Sequence, residues 1–183
     1  MRQLFVILLA LMVCFAMPLM AQEKEKAEGG MADMAPPEPL NDDWHEWMVG
    51  EWEGWSESEK GKTTEWLKCD MGLNGQFLFL ATKSEMGEMT REGRGASTID
   101  PESGAFVGYW VDNFRGMYEG KGKRADNKVT MTWEGNHGTY KETVEKVGAD
   151  KFTSTYSFTD ANGKITKGKS EMTRIKKMSD KKD

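Results

Sequence analysis

The sequence predicts an all-β protein: a single up-and-down antiparallel β-barrel of about ten strands, preceded by a short helix. Three observations carry this. Turn residues punctuate the chain about every 8 to 12 residues from residue 49 onward, the cadence of successive hairpins. Several segments between them alternate cleanly. Val129, Met131 and Trp133 face one way and Thr130 and Thr132 the other; Phe152, Tyr156 and Phe158 oppose Thr153, Thr155 and Ser157. Composition is the third. After residue 21 the chain holds only 5 Leu, 3 Ile, 6 Val and 6 Phe, but all 7 Trp, all 4 Tyr, 10 of the 14 Met and all 20 Gly. So few aliphatics argue against a Leu-rich helical bundle and a Val/Ile-rich parallel sheet. The tryptophans argue against disorder.

The elements follow in order. Arg2 and the apolar run from Leu4 to Phe15 read as the charged and hydrophobic parts of a secretory signal, too short for a spanning helix. Leu19-Met20-Ala21 places Ala before a cut at Gln22, so residues 1–21 are expected to be removed on export to the periplasm or beyond. Residues 22–40, with Pro36, Pro37 and Pro39, read as a flexible linker. Asp42-Asp43 followed by Trp44, Trp47 and Met48 gives an N-capped short helix, ended by Gly50. Ten strands are expected over 49–57, 63–70, 76–85, 88–99, 105–113, 116–123, 128–134, 139–147, 151–159 and 164–176. The turns have explicit chemistry: Asp100-Pro101-Glu102-Ser103-Gly104, Ala125-Asp126-Asn127, Gly148-Ala149-Asp150, and Asp160-Ala161-Asn162-Gly163 ending in Asn-Gly. With no βαβ spacing, such a sheet hides its edges best by closing on itself; a two-sheet sandwich is the rival. One domain is expected over residues 41–177, with a charged tail at 178–183.

Charge and cysteine content exclude several classes. Beyond residue 21 there are 24 basic and 30 acidic residues and no basic stripe, so nucleic acid is not expected as a partner. Without Cys14, Cys69 has no intramolecular disulfide partner; it reads as a small buried filler. No membrane span is expected after signal cleavage, and the protein is expected to be monomeric.

Three stretches carry a family resemblance. Trp47-Met48-Val49-Gly50-Glu51-Trp52-Glu53-Gly54 resembles the opening L-x-G-x-W of the bacterial domain-of-unknown-function 1579 family. Met71-Gly72-Leu73-Asn74-Gly75-Gln76-Phe77-Leu78 resembles its L-G-G-R-F-L, although Asn74 replaces a glycine and Gln76 a basic residue. Thr98-Ile99-Asp100-Pro101 with Phe106-Val107-Gly108-Tyr109-Trp110-Val111-Asp112-Asn113 resembles its Y-D-P … Y-V-G-x-W-V-D-S, with Ile99 in place of an aromatic. Glu171-Met172-Thr173-Arg174 resembles the closing strand. The resemblance implies a calycin-like barrel, related in shape to lipocalins and fatty-acid-binding proteins. It further implies that Gly50 and Trp52 lie on the first strand and that Arg174 on the last strand packs over the Trp52 indole. Such a cation–π contact is worth about 0.5–2 kcal/mol. The family has no established activity.

Residue types narrow the candidate sites. No Gly-x-Ser-x-Gly elbow is present. Apart from the signal the only histidines are His45 and His137, and His137 sits in a Gly-Asn-His-Gly turn. Met31/Met34, Met86/Met89 and His45/Met48 have spacings that suit Cu(I), but methionine as packing filler explains them more simply. A turn histidine is a poor haem ligand, so no cofactor or metal is expected. The barrel interior is the strongest candidate, with Phe79, Trp110, Met131, Trp133, Tyr156 and Met172 as its expected lining. The same residues suit an open pocket or a filled core. The favoured reading is an exported protein that binds or carries a small hydrophobic ligand. The alternatives are a small-substrate enzyme using Tyr109, Asp112 or Arg115, and a plugged barrel whose partner surface includes Trp44 and Trp47.

Overall fold

The computed structural model describes residues 37–176. The expected signal segment, residues 22–36 of the expected linker, the Met31/Met34 pair and the charged tail lie outside the described residues. Helix α1 (Asp43–Met48) leads into ten strands: β1 (Gly50–Ser58), β2 (Gly61–Gly72), β3 (Phe77–Met86), β4 (Met89–Ile99), β5 (Phe106–Asp112), β6 (Met117–Ala125), β7 (Lys128–Gly135), β8 (Gly138–Gly148), β9 (Lys151–Asp160) and β10 (Ile165–Arg174). Each strand pairs antiparallel with its neighbour in sequence, and β1 pairs with β10 from Trp52↔Arg174 to Ser58↔Gly168. The barrel is closed, so no strand edge is left unpaired. The sandwich alternative is excluded by the β1–β10 pairing.

Glycine places the aromatics. A Cβ on Gly93 would stand 2.0 Å from the Trp110 ring, and one on Gly120 would stand 2.4 Å from the Trp133 ring. Each indole therefore lies flat across a bare strip of neighbouring strand instead of projecting to the barrel axis. This is the role of the glycine-rich β4 and β6: rings are absorbed into the wall and the centre stays free.

Helix α1 closes one end. The Asp42 carboxylate accepts the His45 backbone N–H at 2.9 Å, capping the first turn. At the other end of this short helix, the Trp52 indole N–H donates to the Met48 carbonyl at 2.9 Å. The Arg174 guanidinium donates to the carbonyls of Trp47 and Val49, and its centre lies 4.0 Å from the Trp52 ring centroid. Gly50, at φ +128°, is where the helix turns into β1; a Cβ there would lie 2.7 Å from Arg174 Nη1. Gly50, Trp52 and Arg174 thus form one clasp joining helix, first strand and last strand. Asp150 adds an ion pair to Arg174 Nε at 3.2 Å.

The packed core sits at this end. Trp44 and Met48 of α1 meet Trp52, Leu67, Phe106 and Phe152, all buried. Trp44 is not part of an exposed partner surface, and Trp47 packs its ring 5.3 Å from Trp52 while donating to the Ala149 carbonyl at 2.8 Å. No exposed tryptophan patch on α1 is left to support the plugged-barrel alternative. Cys69 is fully buried in the same region, and burial pushes its thiol up to about 12; it is a packed thiol and not a poised nucleophile.

Candidate functional site

Beyond the core the barrel is hollow. A cavity of about 560 Å³ runs from α1 toward the opposite rim, within the range of small-molecule sites. Its inner part is walled by Leu78, Phe106, Val129, Met131, Phe152 and Met172. Toward the rim the wall turns polar, with Ser56, Glu65, Ser84, Tyr140, Glu142 and Tyr156.

Five of the six residues expected to line the interior do so: Trp110, Met131, Trp133, Tyr156 and Met172. Phe79 does not. The inward residues of β3 are Leu78, Leu80, Thr82 and Ser84, so Phe79 lies on the outer face, its ring over Gly72 and 6.4 Å from Phe77. The reason is a run of four apolar residues, Phe77 to Leu80, in which period-2 alternation carries no signal. Only the β2–β3 register, with Leu80 opposite Cys69, fixes which set faces in.

The three residues raised for an enzyme do not converge in the lumen. Tyr109 is 50% exposed on the outer wall. Arg115 occupies a turn at φ 62°. Asp112 locks that same turn, accepting the N–H groups of Phe114 and Gly116 at 2.9 Å and pairing with Arg91 at 2.5 Å. Burial alone would raise its carboxyl, but the Arg91 bond and the two N–H groups outweigh this and hold it below the usual carboxylate range. His137 is exposed in its turn and lies 3.1 Å from the Phe114 carbonyl.

The residue that sequence reasoning undervalued is His45. It is 1% exposed. Its Nδ1 lies 2.6 Å from the Asp42 carboxylate, its Nε2 3.3 Å from Ser97 Oγ, and its ring stacks on Phe106 at 4.9 Å. The order Asp–His–Ser resembles a hydrolytic relay, but Ser97 sits mid-strand in β4, paired on both sides to Leu78 and Gly108. Its neighbouring N–H groups are committed to the ladder, so no donor pair is free to hold an oxyanion. The arrangement instead pins α1 to the barrel wall. Asp-x-x-His at a helix start was the available signal; that Ser97 lies opposite it is visible only in the closed barrel.

The polar half of the lumen has its own electrostatics. Glu65 accepts hydroxyl bonds from Ser56 at 2.9 Å, Thr63 at 2.8 Å and Ser84. Glu142 faces it from β8. Burial raises the Glu142 carboxyl above its ordinary value, against the Ser154 hydroxyl that favours its ionised form; the Glu65 charge raises it further. Burial likewise pushes the Tyr140 hydroxyl well up. The groups facing Glu142 are Tyr140 on its own strand, Tyr156 opposite it on β9, Glu65 across the lumen and, near the rim, Arg91 of β4. The folded barrel keeps the Glu142 proton above the pH at which the unfolded chain releases it. Stability should therefore fall as pH rises from the ordinary glutamate pKa through the raised one. Urea melts between pH 4 and 8 should show this decline, and Glu142→Gln should flatten it. An identical pH slope in that variant would refute the assignment.

A family model described as "protein of unknown function (DUF1579)" matches residues 41–179. The chain belongs to the DUF1579 family. No curated protein matches it. Among solved structures, this DUF1579 chain is similar to the S-type phycobiliprotein lyase from Guillardia theta, at 10% identity and TM-score 0.58, over 74% of this chain and 92% of that one. It is also similar to a protein of unknown function from the DUF3598 family of Nostoc punctiforme, at 14% identity and TM-score 0.51, over 75% of this chain; it spans 50% of that longer chain. At these identities the likeness is one of fold: the DUF1579 domain is a calycin-like barrel.

Proposed function

We propose that this protein binds a small hydrophobic ligand non-covalently in its barrel, as a monomer exported across the inner membrane. The observation that carries the reading is the 560 Å³ lumen, walled by aromatic, aliphatic and Met side chains and closed at one end by α1. Apolar burial supplies about 25 cal/mol per Å² removed from water, before the entropy of association is deducted. The flat-lying indoles of Trp110 and Trp133 leave room for an occupant that a packed core would exclude. The fold is shared with a protein named as a phycobiliprotein lyase. For export, the support is the apolar run from Leu4 to Phe15 behind Arg2.

A neutral apolar fluorophore, N-phenyl-1-naphthylamine, should bind saturably at one site per chain, and native mass spectrometry of detergent-free protein should reveal a bound small molecule. Linear, non-saturating fluorescence together with a bare native mass would defeat the proposal. Recovery of the protein with Met1 intact in a cytoplasmic fraction would defeat the export part alone.

A further inference from the structure

We propose that the occupant is an amphiphile bearing a protonated amine, its hydrocarbon part against the inner apolar wall and its ammonium between Glu65 and Glu142. This rests on the binding role proposed above and gives it a chemical class.

Four ionisable side chains of fixed charge type line the lumen: Lys60, Glu65, Arg91 and Glu142. The two cations stand at the rim. Lys60 is exposed in the β1–β2 turn, and Arg91, half-exposed, is engaged by Asp112 through Nη2 at 2.5 Å and Nε at 3.2 Å. The two carboxylates lie inside, and neither has an ion-pair partner among the described residues. Glu65 accepts bonds from the hydroxyls of Ser56, Thr63 and Ser84 and from no cation.

A second, independent feature points the same way. Tyr140 and Tyr156 face the lumen with rings 5.5 Å apart. Neither hydroxyl bonds another side chain or carbonyl among the described residues; both residues are half-buried and open to the lumen. Two unpartnered phenols beside two unpaired carboxyls form a built polar pocket inside an otherwise apolar chamber. An ammonium donates to carboxylate and phenol oxygens alike, and it can lie against the electron-rich faces of the two tyrosine rings. A fatty carboxylate would set its own negative charge beside two acidic side chains. An uncharged alcohol would satisfy one phenol and leave the carboxyls uncompensated.

The test uses one chain length and three head groups at pH 7: dodecylamine, dodecanol and dodecanoate, each below its micelle concentration. Binding is followed by tryptophan fluorescence and calorimetry. Dodecylamine should bind about ten- to a hundredfold tighter than dodecanol, the range of a hydrogen-bonded charge pair, with dodecanoate weakest. The Glu65→Gln/Glu142→Gln double variant should lose that preference and bind dodecylamine and dodecanol about equally, with its circular-dichroism spectrum and urea midpoint reporting that its barrel is intact. The wild-type series needs no variant to decide the matter. If dodecanol binds and dodecylamine binds no better, or dodecanoate binds best, the amine assignment is overturned and the binding role stands. A preference that survives in the double variant also overturns it. If none of the three binds to the folded protein, both fall.

Discussion

Replacing Trp52 by Ala should lower the stability of this barrel by about 3–5 kcal/mol. Trp52 is fully buried and its contacts come from four directions. The Trp47 and Phe152 rings lie 5.3 and 5.0 Å away, Arg174 covers one face, and the indole N–H holds the Met48 carbonyl. Alanine removes the largest fully buried side chain, leaves the Met48 carbonyl without its indole donor and takes away the ring that Arg174 covers. Domains of this size are stable by only about 5–15 kcal/mol, so the variant should approach the threshold of folding. Trp52→Phe keeps the ring and loses the N–H, and should cost about 1–2 kcal/mol less than alanine does. Equilibrium urea unfolding measures both. A midpoint unchanged in Trp52→Ala would disprove the clasp of Gly50, Trp52 and Arg174 as the keystone of the closed end.

The second large effect is on binding. Thr82 and Ser170 are inward positions that keep part of their surface exposed to the lumen. Thr82→Trp combined with Ser170→Trp should project two indoles into the cavity. Affinity for N-phenyl-1-naphthylamine should fall at least about tenfold. The melting temperature should hold or rise, because the indoles bury surface in space no side chain fills. The same exchange in a packed core would overcrowd it and destabilise the fold. The two outcomes therefore separate a lumen from a core. Undiminished affinity in the filled barrel would place the fluorophore elsewhere on the molecule.

Much of the fold was legible in the chain. Period-2 alternation needs only local information, and on β7 and β9 it assigned Met131, Trp133 and Tyr156 to the lumen. Alternation fails where both faces are apolar, as at Phe77 to Leu80, and there Phe79 was placed on the wrong side. It also fails to mark polar inward residues. Glu65 and Glu142 look like solvent-face carboxylates in a strand, because a sequence cannot say that its ring of strands encloses a polar chamber as well as an apolar one.

The sequence by itself determined the hairpin cadence, the helix cap at Asp42, the glycine positions and the aromatic stock of the wall, because each depends on neighbours within a few residues. Only the tertiary structure decided that Ser97 meets His45, that Arg174 caps the end of α1, and that glycines on β4 and β6 take up the rings of Trp110 and Trp133. Those contacts join residues up to 127 positions apart. They exist because closing β1 onto β10 fixes the shear of the whole barrel, and with it which side chains share a layer.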